Sequence, residues 1–155
     1  MKSYSEREIF SDIELQLLRL ATKMVDAIPT VTSLKPGEVR CHELARAVGK
    51  LLDLQVQDGY YGFVDHSWLW TRQRLQGETA WTLPNILDVY AVGSLPMVQL
   101  VDMHHTGPGH AMVYRPLAEP RTDIDEQMVH LLVGEIRSSL AFGADEELYA
   151  RRRSG

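Results

Sequence analysis

Hydrophobic residues recur every three to four positions in three segments of the chain, and this spacing predicts amphipathic helices. The first predicted helix covers Ser5–Ile28, the second runs from Val39 or Cys41 to Leu52, and the third begins near Thr122 or Asp123. The expected core-facing stripes are Ile9, Ile13, Leu17, Leu20, Ala21 and Met24 in the first helix, Leu44, Val48, Leu51 and Leu52 in the second, and Ile124, Met128, Leu131, Leu132 and Ile136 in the third.

Two local features refine these helices. Gly49 lies inside the second helix and costs it about 1 kcal/mol relative to alanine, which indicates close packing against a neighbour. Asp123 and Glu126 fit the D-x-x-E pattern of a helix start, so the third helix is expected to begin there.

From Leu54 onward the hydrophobic pattern changes, and valine, tyrosine, tryptophan and phenylalanine become frequent in runs that glycines separate. The polar stretch Arg72–Glu78 is expected to be a hairpin or loop, and Thr30–Gly37 and Met103–Gly109 are expected to be loops. The predicted strands are Leu54–Gln57, Tyr60–Val64, His66–Thr71, Ile86–Val92 and Met97–Asp102, with a weaker candidate at Ala111–Tyr114.

Helices followed by strands and then by another helix predict an α+β fold, in which helices pack on one side or at one end of an antiparallel sheet. A chain of 155 residues suits one core, so we expect a single domain over residues 1–155.

Composition and charge narrow the classes of function. The net charge of −5 and the pI of about 5.6 give no electrostatic reason to expect binding to nucleic acid or anionic lipid. The charged segment Met1–Phe10 does not look like a signal peptide, and no apolar stretch approaches the roughly 20 residues of a membrane-spanning helix. A single cysteine excludes an internal disulfide framework. We therefore expect a cytoplasmic protein without nucleic-acid or membrane partners, and its oligomeric state stays open.

The candidate chemistry begins with Cys41, the only cysteine, at the start of the second helix. A helix N-terminus presents unpaired N–H groups and a partial positive charge, which favour a thiolate and can stabilise an oxyanion. His66 begins a predicted strand in which alternation puts it on the same face as Trp68 and Trp70, whereas Asp65 points to the other face. A nearby histidine can take the thiol proton, so these residues suit a cysteine nucleophile and its base.

Asp88 is the third member of this set. It lies between Leu87 and Val89 in an apolar strand, where a lone carboxylate is costly to bury unless it is paired. If the two strands are neighbours, Asp88 can accept a hydrogen bond from His66 and orient its ring. Each residue also has an ordinary structural interpretation: a small buried cysteine, a hydrogen-bonded core histidine, and an aspartate that caps a turn or pairs with an arginine.

The surrounding sequence resembles the transglutaminase-like superfamily over about residues 37–92. The segment Gly37-Glu38-Val39-Arg40-Cys41-His42-Glu43-Leu44-Ala45, followed by Leu51-Leu52 and Asp58-Gly59, is similar to the nucleophile region of that superfamily. His66-Ser67-Trp68 resembles its His-Ala-Trp strand, Ile86-Leu87-Asp88 resembles its Leu-Asp strand, and Trp81 resembles the tryptophan often found just before that strand.

This resemblance implies a papain-like core with Cys41 as nucleophile, His66 as general base and acid, and Asp88 as the residue that orients His66. It implies a small cysteine hydrolase, such as a thiol protease or amidase, or an acyltransferase. The substrate would be a peptide or glutamine-type amide, the intermediate a thioester, and no cofactor would be needed. Some relatives have lost catalysis, so the alternative is a silent binding module that acts through an aromatic groove or a protein partner.

Three points depart from the family pattern or stay open. The Cys41–His66 separation is short for this group, and Arg72–Glu78 replaces a compact turn. No side chain is a clear oxyanion donor: the candidates are Gln55, Gln57 and Asn85, or the backbone N–H of Cys41. His42 is expected on a different helix face and in solvent. The aromatic residues expected mostly in the core, a few of them beside Cys41, are Tyr60, Tyr61, Phe63, Trp68, Trp70, Trp81 and Tyr90.

A second group of metal-ligand residue types consists of Asp102, His104, His105 and His110. Their spacing matches no metal signature, so we predict no metal site and expect a polar surface loop. Zinc binding stays open as an alternative, and Asp102 could instead lie near Cys41, His66 and Asp88 as a supporting group.

Overall fold

The computed structural model of the protein describes residues 9–28, 39–75, 77–78, 82–92, 97–104 and 113–140. Helices and antiparallel strands are both present in these ranges, so the predicted α+β class is confirmed. The elements are α1 (Asp12–Asp26), α2 (Cys41–Leu52), β1 (Val56–Tyr61), β2 (Val64–Trp70), β3 (Ile86–Asp88), β4 (Gln99–Val101), β5 (Tyr114–Pro116) and α3 (Glu126–Leu140).

The five strands form one sheet in the order β4-β3-β2-β1-β5, and each neighbouring pair is antiparallel. Helix α2 packs against α3 and against β2, the central strand. Leu69 and Leu87 belong to the core shared with the helices, whereas Trp68 and Trp70 belong to a second hydrophobic cluster. Successive residues of β2 therefore contribute to opposite faces of the sheet, as the predicted alternation requires.

Helix α1 begins later than the sequence pattern predicts. Ser11 is its N-cap: the Ser11 hydroxyl accepts from the Glu14 N–H at 3.1 Å, and Glu14 Oε1 accepts from the Ser11 N–H at 3.0 Å. This reciprocal capping box starts a helix at Asp12 and interrupts the one predicted over Ser5–Ile28. Four of the six predicted stripe residues, namely Leu17, Leu20, Ala21 and Met24, are buried, but Ile13 is 58% exposed.

Helix α2 has the predicted bounds and buries its whole predicted stripe. The expected close packing at Gly49 is also confirmed. A Cβ built on Gly49 would lie 2.9 Å from the Leu69 side chain and 3.0 Å from the Leu54 carbonyl oxygen. The missing side chain is what lets α2 approach the start of the sheet so closely.

The first hairpin differs from the prediction because Gly59 does not break the strand. The strands predicted at Leu54–Gln57 and Tyr60–Val64 are one continuous strand, β1, and Gly59 pairs with both His66 and Pro116. A Cβ on Gly59 would collide with the Arg115 backbone, so this glycine permits close approach of β5. The chain turns instead at Gly62, which has a φ of 61°.

Strands β3 and β4 are shorter than predicted, because aspartate side chains replace the sheet hydrogen bonds at their ends. Asp88 Oδ1 accepts from the Tyr90 N–H at 3.0 Å, and Asp102 Oδ1 accepts from the His104 N–H at 3.0 Å. Each contact closes a local turn of the kind that aspartate favours. The predicted strands Ile86–Val92 and Met97–Asp102 therefore end early.

Helix α3 begins at Glu126 rather than near Asp123. Asp125 Oδ1 accepts from the Met128 N–H at 3.1 Å, whereas Asp123 pairs with Arg121 at 2.9 Å. Leu131 was expected in the core and is 48% exposed. The buried residues of α3 are Val129, Leu132, Val133 and Ile136.

The described residues 72–75 and 77–78 form no helix or strand, as expected for the Arg72–Glu78 stretch. Several predictions fall outside the described residues: Thr30–Gly37, Trp81, His105, His110 and the tail from residue 141 onward. Among the residues that are described, no helix combines the length and the apolar character needed to cross a membrane.

Candidate active site

Cys41 is the first residue of α2, and its side chain is partly exposed. The side chain of the N-cap residue Arg40 caps no backbone N–H of the first turn. Its guanidinium binds Glu43 instead, at 2.6 and 2.8 Å. The first main-chain bond of the helix runs from the Leu44 N–H to the Arg40 carbonyl, so the N–H groups of residues 41–43 have no partner within the helix. Their partial positive charge lies beside the sulfur.

His66 lies on β2 with its Nε2 atom 2.8 Å from Asp88 Oδ2. The register pairs Leu69 with Leu87 and Trp70 with Ile86. Continued by one residue, that register sets Asp88 opposite Trp68, as a diagonal neighbour of His66 on the same face. The strands are thus neighbours, and Asp88 accepts the hydrogen bond from His66 that the sequence pattern predicts.

Two further donors hold the Asp88 carboxylate, which is fully buried. The Tyr114 hydroxyl donates to Oδ2 at 2.7 Å, and the Tyr90 N–H donates to Oδ1 at 3.0 Å. The Asp88 carboxylate therefore accepts three hydrogen bonds, from His66, Tyr114 and the Tyr90 N–H. An ionised carboxylate has no proton to donate, so the proton of the His66–Asp88 bond belongs to His66 Nε2. The other ring nitrogen, Nδ1, is then the one that can exchange a proton with a reacting group.

Cys41 and His66 shift each other's pKa in opposite directions. Burial by itself lowers the pKa of His66, but hydrogen bonds to Asp88 and Cys41 and their charges raise that pKa to about 9. Burial raises the pKa of the Cys41 thiol, but hydrogen bonds to His42 and His66 and the charges of both rings lower it to about 6. Between about pH 6 and pH 9 the pair is therefore a thiolate and an imidazolium.

His42 is not in solvent on another helix face, as expected from the sequence, but is only 5% exposed. Its Nδ1 lies 3.6 Å from the Cys41 sulfur and 2.7 Å from the Ser67 hydroxyl. The expectation was wrong because α2 packs directly on β2, so the side of the first turn that carries His42 meets the sheet at Ser67. The sulfur thus interacts with two imidazole rings.

A buried ionic network continues from Ser67. The Ser67 hydroxyl donates to Asp58 Oδ1 at 2.5 Å, and Arg46 donates to both carboxylate oxygens at 3.0 and 2.6 Å. The Arg121 N–H donates to Oδ2 at 3.0 Å. Burial raises the pKa of Asp58, but these donors outweigh burial and hold that pKa at about 2. Asp58 is therefore ionised at neutral pH, although it lies inside the sheet.

The three side-chain oxyanion candidates are all engaged elsewhere. Gln57 donates to the carbonyls of Asp58 and Leu117, Gln55 accepts from the Arg74 N–H, and Asn85 donates to Glu14. The backbone N–H groups at the start of α2 remain as the donors beside Cys41.

The Asp102–His110 cluster gains no support as a metal site. In the described part of the chain, no group of three or more His, Cys, Asp or Glu side chains could hold a metal ion. Asp102 closes a turn onto the His104 N–H, and the His104 ring bonds the Leu83 carbonyl. His105 and His110 lie outside the described residues.

The aromatic residues divide between core and surface. Trp68 and Trp70 are buried as expected, so these two rings are not the walls of an open groove. Phe63, expected mostly in the core, lies at the hairpin tip and is 97% exposed.

Four residues around the site were missed by the sequence analysis: His42, Ser67, Asp58 and Tyr114. Asp58 is a charged residue within a predicted strand region, so the sequence indicated that it needs a buried partner. His42 and Arg46 are one helical turn apart and therefore lie on the same side of the helix. No sequence pattern indicated Tyr114, because only the pairing of β5 with β1 brings it near Asp88.

No protein-family model, curated protein or solved structure matches the chain. The geometry around Cys41 is therefore the basis for assigning a function.

Proposed function

We propose that the protein is a small cysteine hydrolase or acyltransferase in which Cys41, His66 and Asp88 form the catalytic triad. The observation that carries this proposal is the fully buried His66–Asp88 pair, with a 2.8 Å bond, beside a partly exposed cysteine at a helix N-terminus. This arrangement supplies a nucleophile, a proton carrier whose charge and hydrogen bonding lower the pKa of that nucleophile, and a carboxylate bonded to the proton carrier.

The first half of the reaction follows from the resting ion pair. The Cys41 thiolate attacks an amide carbonyl carbon, a C–S bond forms, and the carbonyl electrons move onto oxygen. The N–H groups of residues 41–43 stabilise this oxyanion. His66 then transfers the proton on Nδ1 to the leaving nitrogen, the C–N bond breaks, and an amine or ammonia departs from a thioester.

The second half regenerates the enzyme. Neutral His66 accepts a proton at Nδ1 from water as the water oxygen attacks the thioester carbonyl, and the C–S bond breaks to release an acid and the thiolate. An amine in place of water gives acyl transfer instead. Asp88 stays ionised and accepts the hydrogen bond from His66 throughout, because Tyr114 and the Tyr90 N–H fix its carboxylate.

The proposed fold is a reduced papain-like core of the transglutaminase type. The order helix with cysteine, strand with histidine and strand with aspartate supports it, since α2 packs on β2 and β3 pairs with β2. A peptide bond or a glutamine side chain is the substrate amide that this proposal favours.

The decisive experiment incubates the full chain with a panel of peptide amides and glutamine-containing peptides. Amine or ammonia release and the acyl adduct on Cys41, detected by intact mass, are both measured. We expect turnover and an adduct in the wild type, neither in Cys41→Ala, and a loss on the order of 10²–10⁴-fold in His66→Ala. His130→Ala is the matched control, because His130 is exposed on α3.

Turnover that survives in Cys41→Ala would refute the proposal. No adduct with any substrate, together with iodoacetamide alkylation near pH 6 at the rate of a free thiol, would instead support the silent binding module.

A further inference from the structure

His42 contacts both the Cys41 sulfur and a buried polar chain that the triad does not use. Its Nδ1 lies 3.6 Å and its Nε2 4.0 Å from the sulfur. On the other side, Nδ1 lies 2.7 Å from the Ser67 hydroxyl, which in turn lies 2.5 Å from Asp58. Both His42 and Ser67 are buried, so water does not satisfy these groups.

The protons available along the hydrogen-bonded side chains His42, Ser67 and Asp58 determine which nitrogen of His42 is protonated. Asp58 receives donors from Arg46, Arg121 and Ser67, so it is a carboxylate that can only accept. The single hydroxyl proton of Ser67 therefore points to Asp58, and Ser67 must accept from His42. His42 Nδ1 consequently carries a proton.

We propose that His42 is the second histidine of the nucleophile site: its Nδ1–H, fixed by the Arg46–Asp58–Ser67 chain, is shared between the Ser67 hydroxyl and the Cys41 sulfur and stabilises the thiolate. One N–H can be shared between two acceptors in a three-centre hydrogen bond. The sulfur lies 3.6 Å from Nδ1, within reach of a hydrogen bond because sulfur is a larger acceptor atom than oxygen.

The two histidines then have different tasks. His66 is anchored through Nε2 on Asp88 and carries protons at Nδ1. His42 is anchored through Nδ1, so the nitrogen nearest the sulfur is a hydrogen-bond donor and not a proton acceptor. The catalytic role of this thiolate rests on the proposed function, but its stabilisation by His42 does not.

The other charged and titratable groups around this contact are already paired. Glu43, on the same helical turn, binds Arg40. Arg46 also donates to the His42 carbonyl at 3.1 Å, and on β3 and β5 Asp88 and Tyr114 bond each other. His66 is therefore the other ring whose protonation acts on the sulfur, and the experiment must separate it from His42.

The test compares His42→Asn with His42→Leu, because these two side chains have the same branched shape and only asparagine has an N–H at the δ position. The pKa of the Cys41 thiol is measured from the pH dependence of iodoacetamide alkylation, followed by intact mass. We expect His42→Leu to raise this pKa from about 6 by about one unit, a roughly tenfold loss of thiolate at pH values well below 6 that shrinks to about twofold at pH 7. His42→Asn should recover at least half of that change.

The second measurement reads the ring proton in the wild type and uses a variant only to assign the signals. The ¹⁵N spectrum of histidine-labelled protein, with the His42 signals assigned from their absence in His42→Asn, is expected to show the ring proton on Nδ1. A proton on Nε2 would overturn the inference. Equal alkylation profiles for wild type and His42→Leu, or equal shifts for both variants, would do the same.

Failure of the inference and failure of the proposed function are distinguishable, because alkylation requires no substrate. A low thiol pKa that depends on His42 in a protein without amide turnover rejects only the proposed function. Amide turnover in a protein whose thiol pKa ignores His42 rejects only the inference.

Discussion

The substitution Asp88→Asn tests the part of the site on which the proposed chemistry depends most. Asp88 and, to a smaller extent, Cys41 raise the pKa of His66 by hydrogen bonding and by charge, against burial, from 6.5 to about 9. That difference corresponds to roughly 3 kcal/mol in favour of the protonated ring, at about 1.4 kcal/mol per pKa unit. Asparagine removes the charge and leaves the ring 1% exposed, so burial, which lowers the pKa, is then opposed by Cys41 alone.

We therefore expect the pKa of His66 in Asp88→Asn to fall by more than one unit, toward or below its ordinary value of 6.5. The assay is an NMR titration of the His66 Cε1–H signal between pH 5 and pH 10, assigned with His66→Ala. Turnover of an amide substrate should fall on the order of 10³–10⁴-fold, because the asparagine side chain no longer selects the Nε2–H tautomer of His66.

The matched control is Asp65→Asn. Asp65 precedes His66 and carries the same charge, but it is exposed and its ion-pair partner is Arg121, at 3.7 Å. Its substitution should leave the His66 titration unchanged. The reasoning is refuted if His66 titrates at the same pH in Asp88→Asn and wild type, or if both aspartate variants shift it equally.

The sign of the stability change with pH follows from the same values. The folded-state pKa of His66 is raised, so its contribution to stability is complete below pH 6.5 and is lost as pH rises through about 9. The folded-state pKa of Cys41 is lowered, so its contribution is complete above pH 9.0 and is lost as pH falls through about 6. Both groups are charged in the folded protein between about pH 6 and pH 9, and Asp88→Asn should move the loss of the His66 contribution to lower pH in a urea-unfolding series.

Two further predictions concern the support of the site. Gly49→Ala should destabilise the protein by about 1–3 kcal/mol despite the better helix propensity of alanine, because its Cβ meets Leu69 at 2.9 Å. Gly134→Ala, where a Cβ meets nothing within 4 Å, should stabilise α3 by up to about 1 kcal/mol in the same urea measurement, and an equal effect of the two would contradict the packing argument. Arg46→Met should cost about 3–5 kcal/mol, since it leaves the buried Asp58 carboxylate without its ion-pair partner. The free energy of unfolding of this variant, measured at pH 7 and pH 4, tests this prediction. The loss of stability should be smaller at pH 4, where protonation of Asp58 relieves its unpaired charge.

Local sequence signals were sufficient for the elements that carry Cys41, His66 and Asp88. The stripe of α2 has the period of a helix, and its predicted bounds hold because every stripe residue finds the core. The alternation in His66–Trp70 predicts which face each side chain takes, and the clusters containing Leu69 and Trp68 confirm it. Asp88 stood out because a carboxylate within an apolar run requires a partner.

Other predictions were wrong where tertiary contacts outweigh a local sequence rule. Glycine ordinarily weakens a strand, yet Gly59 continues β1 because the Arg115 backbone occupies the space that a side chain would fill. His42 was expected in solvent because its neighbours along the helix suggested an exposed face. The approach of β2 to the first turn of α2 buries it instead.

The sequence by itself therefore determined the α+β class, the helix that begins at Cys41 and the need of Asp88 for a partner, with His66 as the candidate. Each of these follows from a period or from a charge that must be compensated within the chain. Only the tertiary structure decided that His42, Ser67, Asp58 and Arg46 form a second polar chain at the sulfur, and that Tyr114 holds Asp88. These contacts join residues on separate elements, and which side chains meet is set by strand register and helix packing rather than by any local pattern.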